Sequence, residues 1–255
     1  MEKNKIMILV LSTQDKSYVN FKNSIENSWF KVAKSEGISC YFYEGGHDIS
    51  EIDGNIIRLR AKDDLLNTAS KLIEVFEVIR KEFPYIDVVF RTNLSSYIDI
   101  PALLKFVEIN NVNKRTYLGV CGETYLLKEL FYLKNSYFHW FFSVVKLGKK
   151  LRFASGSGFF LGSDNIDKVI NRRERLFLID DVMVGYNLDG KLEGKNILRF
   201  DIEENNGHKL SVEEYNGLKE NGLFHYRIKT KDRLNDAALL ASFADERNLI
   251  DVCTH

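Results

Sequence analysis

The chain has 255 residues, of which 45% are hydrophobic, and its 36 basic side chains are balanced by 36 acidic ones. This composition favours one well-packed globular domain over a disordered chain, and the zero net charge gives no electrostatic support for nucleic-acid binding. The three cysteines, Cys40, Cys121 and Cys253, show no paired spacing, which argues against a disulfide framework or a zinc site and suits a reducing cytoplasm.

Strands and helices alternate through the first half of the chain. The apolar run at residues 6–11 is too short to span a bilayer, so it predicts a buried strand rather than a membrane anchor, and we expect a cytoplasmic protein without a transmembrane segment. Further predicted strands are 38–43, 56–59 and 87–91. Predicted helices are 20–36, closed by Gly37, then 65–82, stopped by Pro84, and one that begins at Pro101. This alternation predicts an α/β fold with a mostly parallel central sheet flanked by helices, whose ligands lie beyond the carboxyl ends of the strands.

The second half of the sequence is less regular. Its predicted strands are 116–120, 153–161 and 196–200, and its predicted helices are 164–171 and 231–244. An aromatic stretch lies between residues 125 and 142, and its density predicts that some members are core: Tyr132, Tyr137, Phe138, Trp140, Phe141 and Phe142. We find no repeat or linker, so residues 1–255 are predicted to form a single domain.

Three segments carry candidate chemistry, each with a plainer alternative. His225, Arg227 and Lys229 alternate on one side of a predicted strand, where they suit phosphate binding or form a solvated basic edge. The Gly156–Gly158 segment indicates either close approach of the backbone to a ligand or an ordinary turn. The pair Asp180 and Asp181 begins a predicted helix, where carboxylates also serve simply to complement the helix dipole. His47 and His139 are interpreted as local packing residues.

Residues 89–99 read Val-Phe-Arg-Thr-Asn-Leu-Ser-Ser-Tyr-Ile-Asp. They resemble the Lys-Thr-Asp-Asp-Asp-Thr-Phe-Val-Asn segment of the β-1,3-galactosyl- and N-acetylglucosaminyltransferases, the Fringe-like family 31 of glycosyltransferases. Residues 154–162 resemble that family's Cys-Ser-Gly-x-Gly-Tyr-Val-Leu-Ser, and residues 180–185 its Glu-Asp-Val-Tyr-Val-Gly. Weaker matches follow the same order along the chain, at residues 9–13, 25–29, 41–45, 63–71 and 117–119.

The resemblance implies a GT-A glycosyltransferase fold, with a nucleotide-binding half in residues 1–100 and an acceptor-binding half in residues 101–255. It implies an inverting enzyme that transfers a sugar from a UDP-sugar to a glycan acceptor, in synthesis of a surface polysaccharide such as lipopolysaccharide or capsule. Asp181 corresponds to the family's general base, beside Asp180. The donor-binding residues expected from the resemblance and the basic segment together are Ser12, Thr13, Lys71, Arg91, Asn93, Ser95, His225, Arg227 and Lys229. The acceptor-binding residues expected are Trp140, Gly156, Ser157 and Gly158.

The chain departs from the family at the metal site. Asn93, Leu94 and Ser95 stand where the aspartate triplet holds the metal that bridges the donor diphosphate, and neutral oxygens bind a divalent ion poorly. Three explanations stay open: Asp99 or Asp87 holds Mn²⁺ or Mg²⁺ instead, basic side chains replace the metal so that no cofactor is needed, or the donor site is dead. The last makes the chain a non-catalytic glycan- or nucleotide-binding module. The absence of Gly-x-Gly-x-x-Gly and Walker-type loops disfavours a dehydrogenase or an NTPase.

Overall fold

The fold was analysed in a computed structural model, which describes residues 5–131, 136–193, 197–202 and 210–254. The described residues form these strands: β1 Ile6–Leu11, β2 Ser39–Glu44, β3 Glu51–Asp53, β4 Ile56–Arg58, β5 Val88–Asn93, β6 Ser96–Ile98, β7 Tyr117–Tyr125, β8 Lys150–Gly162, β9 Arg199–Ile202 and β10 His225–Ile228. They form these α-helices: α1 Val19–Asn27, α2 Trp29–Ser35, α3 Thr68–Glu82, α4 Ile100–Ile109, α5 Leu126–Leu130, α6 Ser136–Val145, α7 Ser163–Arg172, α8 Asp180–Asn187, α9 Val212–Glu220, α10 Arg233–Ser242 and α11 Glu246–Thr254.

A seven-stranded sheet in the order β3-β4-β2-β1-β5-β8-β7 forms the centre of the molecule. The four strands β4, β2, β1 and β5 run parallel, while β3, β8 and β7 are antiparallel to their neighbours. Helices cover both faces of this sheet, so the predicted α/β architecture is confirmed. The two central parallel strands, β1 and β5, are buried on both faces, which is why β1 reads as an uninterrupted apolar run.

A second sheet of three strands lies beside the carboxyl end of β5. Its order is β6-β10-β9, with β10 antiparallel to β6 and parallel to β9. Because β6 follows β5 after only Leu94 and Ser95, the substituted triplet forms the link between the two sheets. The small sheet therefore brings the C-terminal segment of the chain to the ligand-binding edge of the central sheet.

Two predicted elements differ from the structure in informative ways. The helix predicted at residues 20–36 is broken into α1 and α2 at Ser28, whose φ and ψ of −109° and −108° are not helical. The break lets Trp29 bury its ring and donate its indole N–H to the carbonyl of Ser96 at 3.2 Å. The predicted strand 196–200 is observed as β9, and its first residue, Asn196, lies outside the described residues.

The aromatic stretch is a third departure. The prediction that some of its members are core is wrong for those described on α6, because Tyr137, Phe138, Trp140 and Phe141 are exposed and Phe142 is half-buried. Tyr132 lies outside the described residues. Sequence density predicted burial because large aromatics usually dominate cores, but α6 belongs to an insertion between β7 and β8 that packs mainly on α5. In the part of the chain that is described, no helix has the length and apolarity needed to cross a membrane.

Candidate functional site

A cavity of about 510 Å³ opens where the chain leaves the carboxyl ends of β1 and β5. This is the edge at which parallel sheets bind ligands, and the volume lies within the range of small-molecule sites. Seven residues expected to bind the donor line it: Ser12, Thr13, Lys71, Asn93, Ser95, Arg227 and Lys229. The structure thus brings together residues that are more than two hundred positions apart in the chain.

The wall after β1 is organised by the carboxylate of Asp63. It accepts hydrogen bonds from the Thr13 hydroxyl at 2.6 Å, the Gln14 amide at 2.8 Å and the Lys71 ammonium at 2.8 Å. Burial raises the pKa of Asp63, but these hydrogen bonds outweigh it and the pKa is lower than usual. Asp63 therefore holds the Thr13 loop and Lys71 as a charged, fixed unit at the cavity wall.

The opposite wall comes from β10 and the start of α10. Arg227 lies on β10 and Lys229 directly follows its last residue, and neither forms an ion pair with a described residue. The buried Nε of Arg227 has no hydrogen-bond partner within the described ranges. Such an orphaned donor indicates that a ligand group completes the site.

Arg233, at the start of α10, was not predicted as a site residue, yet it also lines the cavity. Its guanidinium lies 4.6 Å from the centroid of the Phe21 ring and donates to the Ser95 hydroxyl at 3.1 Å. Asp236 pairs with the same guanidinium at 2.5 Å, so Arg233 is held in place more firmly than Arg227. Tyr18 was missed as well, because nothing in the sequence separates it from other surface tyrosines; its half-buried ring is the aromatic surface of the cavity.

The substituted triplet cannot act as the family's aspartates do. The Asn93 side-chain carbonyl accepts from the Ser95 amide at 3.1 Å and the Ser96 hydroxyl at 3.2 Å, which closes the turn between the sheets. Leu94 is only 5% exposed and belongs to the main hydrophobic cluster. The central position of the triplet is therefore largely part of the core, although Leu94 lines the cavity together with Asn93 and Ser95.

The two other aspartates considered as metal ligands have structural partners elsewhere. Asp99 caps α4 by accepting from the Ala102 amide at 3.0 Å, and its second oxygen lies 3.3 Å from the Lys219 ammonium. Asp87 precedes β5, at the end of the strand opposite the cavity, and accepts from the Lys5 amide. Among the residues that the structure describes, no three His, Cys, Asp or Glu side chains are grouped as a metal site would require.

A buried charge cluster joins Arg91 of β5 to the start of α8. Arg91 forms an ion pair with Asp180 and donates from Nε to the Tyr43 hydroxyl at 3.1 Å. Burial lowers the pKa of Arg91, but the charge of Asp180 outweighs it and the pKa is higher than usual. Arg91 is 2% exposed, so it is committed to this pair and does not line the cavity, contrary to its expected place among the donor-binding residues.

Asp181 is the second carboxylate of this cluster. Its Oδ2 accepts from the Gly156 amide at 2.6 Å and its Oδ1 from the Val182 amide at 2.8 Å. Burial, with the neighbouring charge of Asp180, raises the pKa of Asp181 to about 7. A carboxylate with such a pKa is poised to exchange a proton near neutral pH, as a general base must. It is 9% exposed, so the route by which a substrate reaches it is narrow.

The Gly156–Gly158 segment forms part of β8 and is not a turn. A Cβ on Gly156 would lie 3.0 Å from Asp181 Oδ2 and 3.1 Å from Arg91 Nη1. A Cβ on Gly158 would lie 2.6 Å from the His225 ring. The glycines therefore allow close approach as expected, but to these protein side chains. The Ser157 hydroxyl accepts from Arg199, and the Ser157 carbonyl accepts from the Thr92 hydroxyl at 2.7 Å.

His225 is fully buried between the two sheets. Its Nε2 is hydrogen-bonded to the Ser96 hydroxyl at 3.0 Å, and burial lowers its pKa to about 3, with help from the charges of Arg199 and Arg227. The ring is therefore neutral and out of reach of the cavity. His225 therefore does not join Arg227 at the cavity, contrary to the prediction. Strand alternation placed both residues on one side of β10, but the His225 ring points into the interior.

Trp140 lies on α6, with 60% of its surface exposed. It is separated from Gly156 by the full amino-terminal stretch of β8, so it does not join the carboxylate cluster. The expected acceptor-binding residues thus fall into two places, the glycine segment beside Asp181 and the isolated Trp140.

No protein-family model matches the chain, and no curated protein matches it. Among solved structures, one described as a glycosyltransferase involved in the glycosylation of the major capsid of PBCV-1 is similar. It is 11% identical, with a TM-score of 0.49, and the match covers 93% of this chain and 99% of the other. This degree of likeness carries no functional argument, so the function rests on the site itself.

Proposed function

We propose that the chain is an inverting glycosyltransferase that transfers a sugar from a UDP-sugar to the hydroxyl of a glycan acceptor. The observation that carries the proposal is the cavity at the carboxyl ends of β1 and β5, where the basic side chains Arg227 and Lys229 have no carboxylate partner among the described residues. A bound diphosphate would be the negatively charged partner that these two side chains lack within the described residues. Resemblance to the Fringe-like family supplies the rest of the assignment.

In this reaction the acceptor hydroxyl loses its proton to Asp181 as its oxygen bonds to the anomeric carbon. The bond from that carbon to the diphosphate oxygen breaks on the opposite face, and UDP leaves with the electron pair. Arg227, Lys229, Arg233 and Lys71 stabilise the negative charge that develops on the leaving group, the task that a metal performs in the resembled family. Arginine suits it because its planar fork donates two parallel hydrogen bonds to phosphate oxygens.

The nucleoside would occupy the end of the cavity formed by Ser12, Thr13 and Tyr18. The Tyr18 ring offers a face on which a uracil can stack, and Asn93 is expected to bond a ribose hydroxyl. Residues 1–100 would form the nucleotide-binding half and contribute Lys71, and the later segment would add Arg227, Lys229 and Arg233. Residues 101–255 would form the acceptor-binding half, and their C-terminal segment would also complete the donor site.

Arg91 and His225 become positioning residues in this proposal. Arg91 is ion-paired with Asp180 and so fixes the residue beside the proposed base. The neutral His225 ring is hydrogen-bonded to Ser96 and lies against Gly158. Both are expected to affect turnover through the geometry of their neighbours.

The acceptor is proposed to be a glycan. Resemblance to glycan-extending transferases favours a polysaccharide such as lipopolysaccharide or capsule, with Gly156, Ser157 and Gly158 on the acceptor side. Incubation with a panel of UDP-sugars and glycans, monitored by UDP release, tests this part. UDP release that depends on one acceptor would identify the substrate pair.

Calorimetric titration of UDP tests the donor site, once with excess EDTA and once with Mn²⁺. We expect binding that survives EDTA, because the cations are part of the chain. Binding only with Mn²⁺ would overturn the metal-independent site, and it would mean that carboxylates hold an ion that binds the diphosphate. No binding in either condition would overturn the donor site altogether.

Arg227→Ala is the variant that tests the cation assignment. A hydrogen bond to a charged group contributes about 1.5–3 kcal/mol, so UDP affinity is expected to fall at least about tenfold. Arg247→Ala is the matched control, because Arg247 is 87% exposed and lies on α11, away from the cavity. Equal affinities for the two variants would place the diphosphate elsewhere.

A second candidate is a non-catalytic nucleotide- or glycan-binding module. The burial of Asp181 favours it, because both carboxylate oxygens already accept backbone hydrogen bonds. The two candidates differ in turnover. The module would be favoured if UDP binds, if no acceptor causes UDP release, and if Asp181→Asn leaves UDP binding unchanged.

A further inference from the structure

Helix α6 presents an apolar stripe to solvent. Tyr137, Trp140 and Val144 recur at helical spacing and are 64%, 60% and 61% exposed, and Leu147 continues the stripe beyond the helix. Soluble proteins scatter single exposed apolar residues, but a contiguous set on one face marks an interaction surface. We refer to Tyr137, Trp140, Val144 and Leu147 as the α6 stripe.

The opposite face of α6 explains how the helix is held without these residues. Phe138 and Phe142, one turn apart, pack on Phe131, with ring centroids 5.2 and 5.4 Å away. This contact fixes the helix on the end of α5 and points the stripe outward. The stripe is therefore not required for the local fold.

Three lysines follow α6 at the carboxyl end of the stripe. Residues 136–150 contain Lys146, Lys149 and Lys150 and no acidic residue, although the whole chain is neutral. All three lysines are exposed. Lys150 pairs with Glu123 at 2.6 Å, whereas Lys146 forms no ion pair within the described ranges.

We propose that α6 docks the protein on a membrane surface that contains anionic lipids. Aromatic side chains prefer the membrane–water interface, and lysines beside them bind acidic headgroups while their stems lie along apolar surface. With ten residues α6 is too short to span a bilayer, so it would lie in the interface plane. A second copy of the chain fits less well, because pairing two stripes would bring like-charged lysines together.

Strand β8 connects the docking surface to the proposed active site. This strand begins at Lys150, shortly after the stripe, and its seventh residue is Gly156, whose amide donates to Asp181. Six residues of extended chain span about 20 Å, so docking would hold the carboxylate within roughly that distance of the headgroups. If the proposed function holds, an acceptor attached to lipid is within reach. The docking itself does not depend on transferase activity.

Flotation with vesicles tests the proposal, using phosphatidylcholine alone or phosphatidylcholine mixed with phosphatidylglycerol. We expect flotation with the mixed vesicles only, and less of it at high salt. Tryptophan fluorescence gives a second readout, because the chain has two tryptophans and Trp29 is 1% exposed. A blue shift on adding mixed vesicles therefore reports on Trp140.

Two variants separate the apolar and charged contributions. Tyr137→Ser/Val144→Ser is expected to abolish flotation, while Ile49→Ser/Ile109→Ser, which removes two exposed apolar residues elsewhere, is expected to leave it intact. Lys146→Gln is expected to lower partitioning about fivefold. Circular dichroism checks that each variant is folded.

Several outcomes would overturn the proposal. Absence of flotation at low salt would do so, and so would equal binding to neutral vesicles or equal loss in the control variant. Concentration-dependent dimerisation that Tyr137→Ser/Val144→Ser abolishes, without vesicle binding, would assign the stripe to a second copy instead.

Discussion

The raised pKa of Asp181 predicts how the stability of the fold depends on pH. Burial and the charge of Asp180 raise it from an ordinary value of 3.8 to about 7. The difference between these values corresponds to about 4 kcal/mol. Because the folded pKa lies above the unfolded one, the folded state binds the proton more tightly, and this group stabilises the fold fully only below about pH 4. That contribution is lost as the pH rises through 7.

Asp181→Asn removes this dependence, because the amide is neutral at every pH and keeps one acceptor for the Gly156 amide. Relative to the wild-type chain, the free energy of unfolding of the variant is expected to rise by about 1.4 kcal/mol for each pH unit between 4 and 7. The total gain approaches about 4 kcal/mol, less about 1 kcal/mol for the hydrogen bond that the amide cannot accept. Urea unfolding at a series of pH values measures this difference.

Asp189→Asn is the matched control. Asp189 is exposed, and its hydrogen bond from Arg172 lowers its pKa, so it stays ionised across the same window and the variant should show no such slope. A constant difference between Asp181→Asn and the wild-type chain would refute the reasoning, since it would mean that Asp181 titrates at an ordinary pKa. The same result would remove the argument for a base poised near neutral pH.

Three further predictions follow from the packing of the site. Leu94→Asp, which restores one family aspartate, is expected to lower the free energy of unfolding by about 3 kcal/mol or more, because the position is core, whereas Ser95→Asp should cost much less; urea unfolding compares the two. Gly158→Ala should destabilise the fold more than Gly217→Ala, whose added Cβ meets no atom within 4 Å, and equal thermal midpoints would contradict the contact with His225. If Asp181 is the base, kcat/KM should fall about tenfold for each pH unit below about 7, and a profile flat down to pH 5 would exclude that role.

Much of the fold could be predicted from the sequence because local patterns agreed with the tertiary structure. Strand β1 is buried and its sequence is an apolar run. Helix α3 buries one face, its sequence has the matching periodicity, and Pro84 follows its end. The break at Ser28 could not be predicted, because helical periodicity continues across it from Ile25 to Trp29. Only the distant carbonyl of Ser96 explains why the chain bends there.

The candidate site was predictable as a set of residues but not as an arrangement. Alternation on β10 correctly grouped His225 with Arg227, yet it cannot tell which side chain is open to a ligand and which is sealed between two sheets. Arg233 was missed because its role depends on the hydroxyl of Ser95, 138 residues earlier. Some aromatics of α6 were expected in the core because large apolar side chains are usually buried. The sequence does not show which other elements pack against them.

The cavity is completed by a segment that is synthesised late. Ser95 and Arg233 meet across 138 positions, and Ser96 and His225 across 129, so these contacts form only after β10 and α10 leave the ribosome. A nascent chain that has reached β8 can already pair the strands of the central sheet, but it lacks Arg227, Lys229 and Arg233. Affinity for an anionic ligand would therefore appear at the last stage of synthesis, and a product terminated before residue 227 would carry the sheet without the charges.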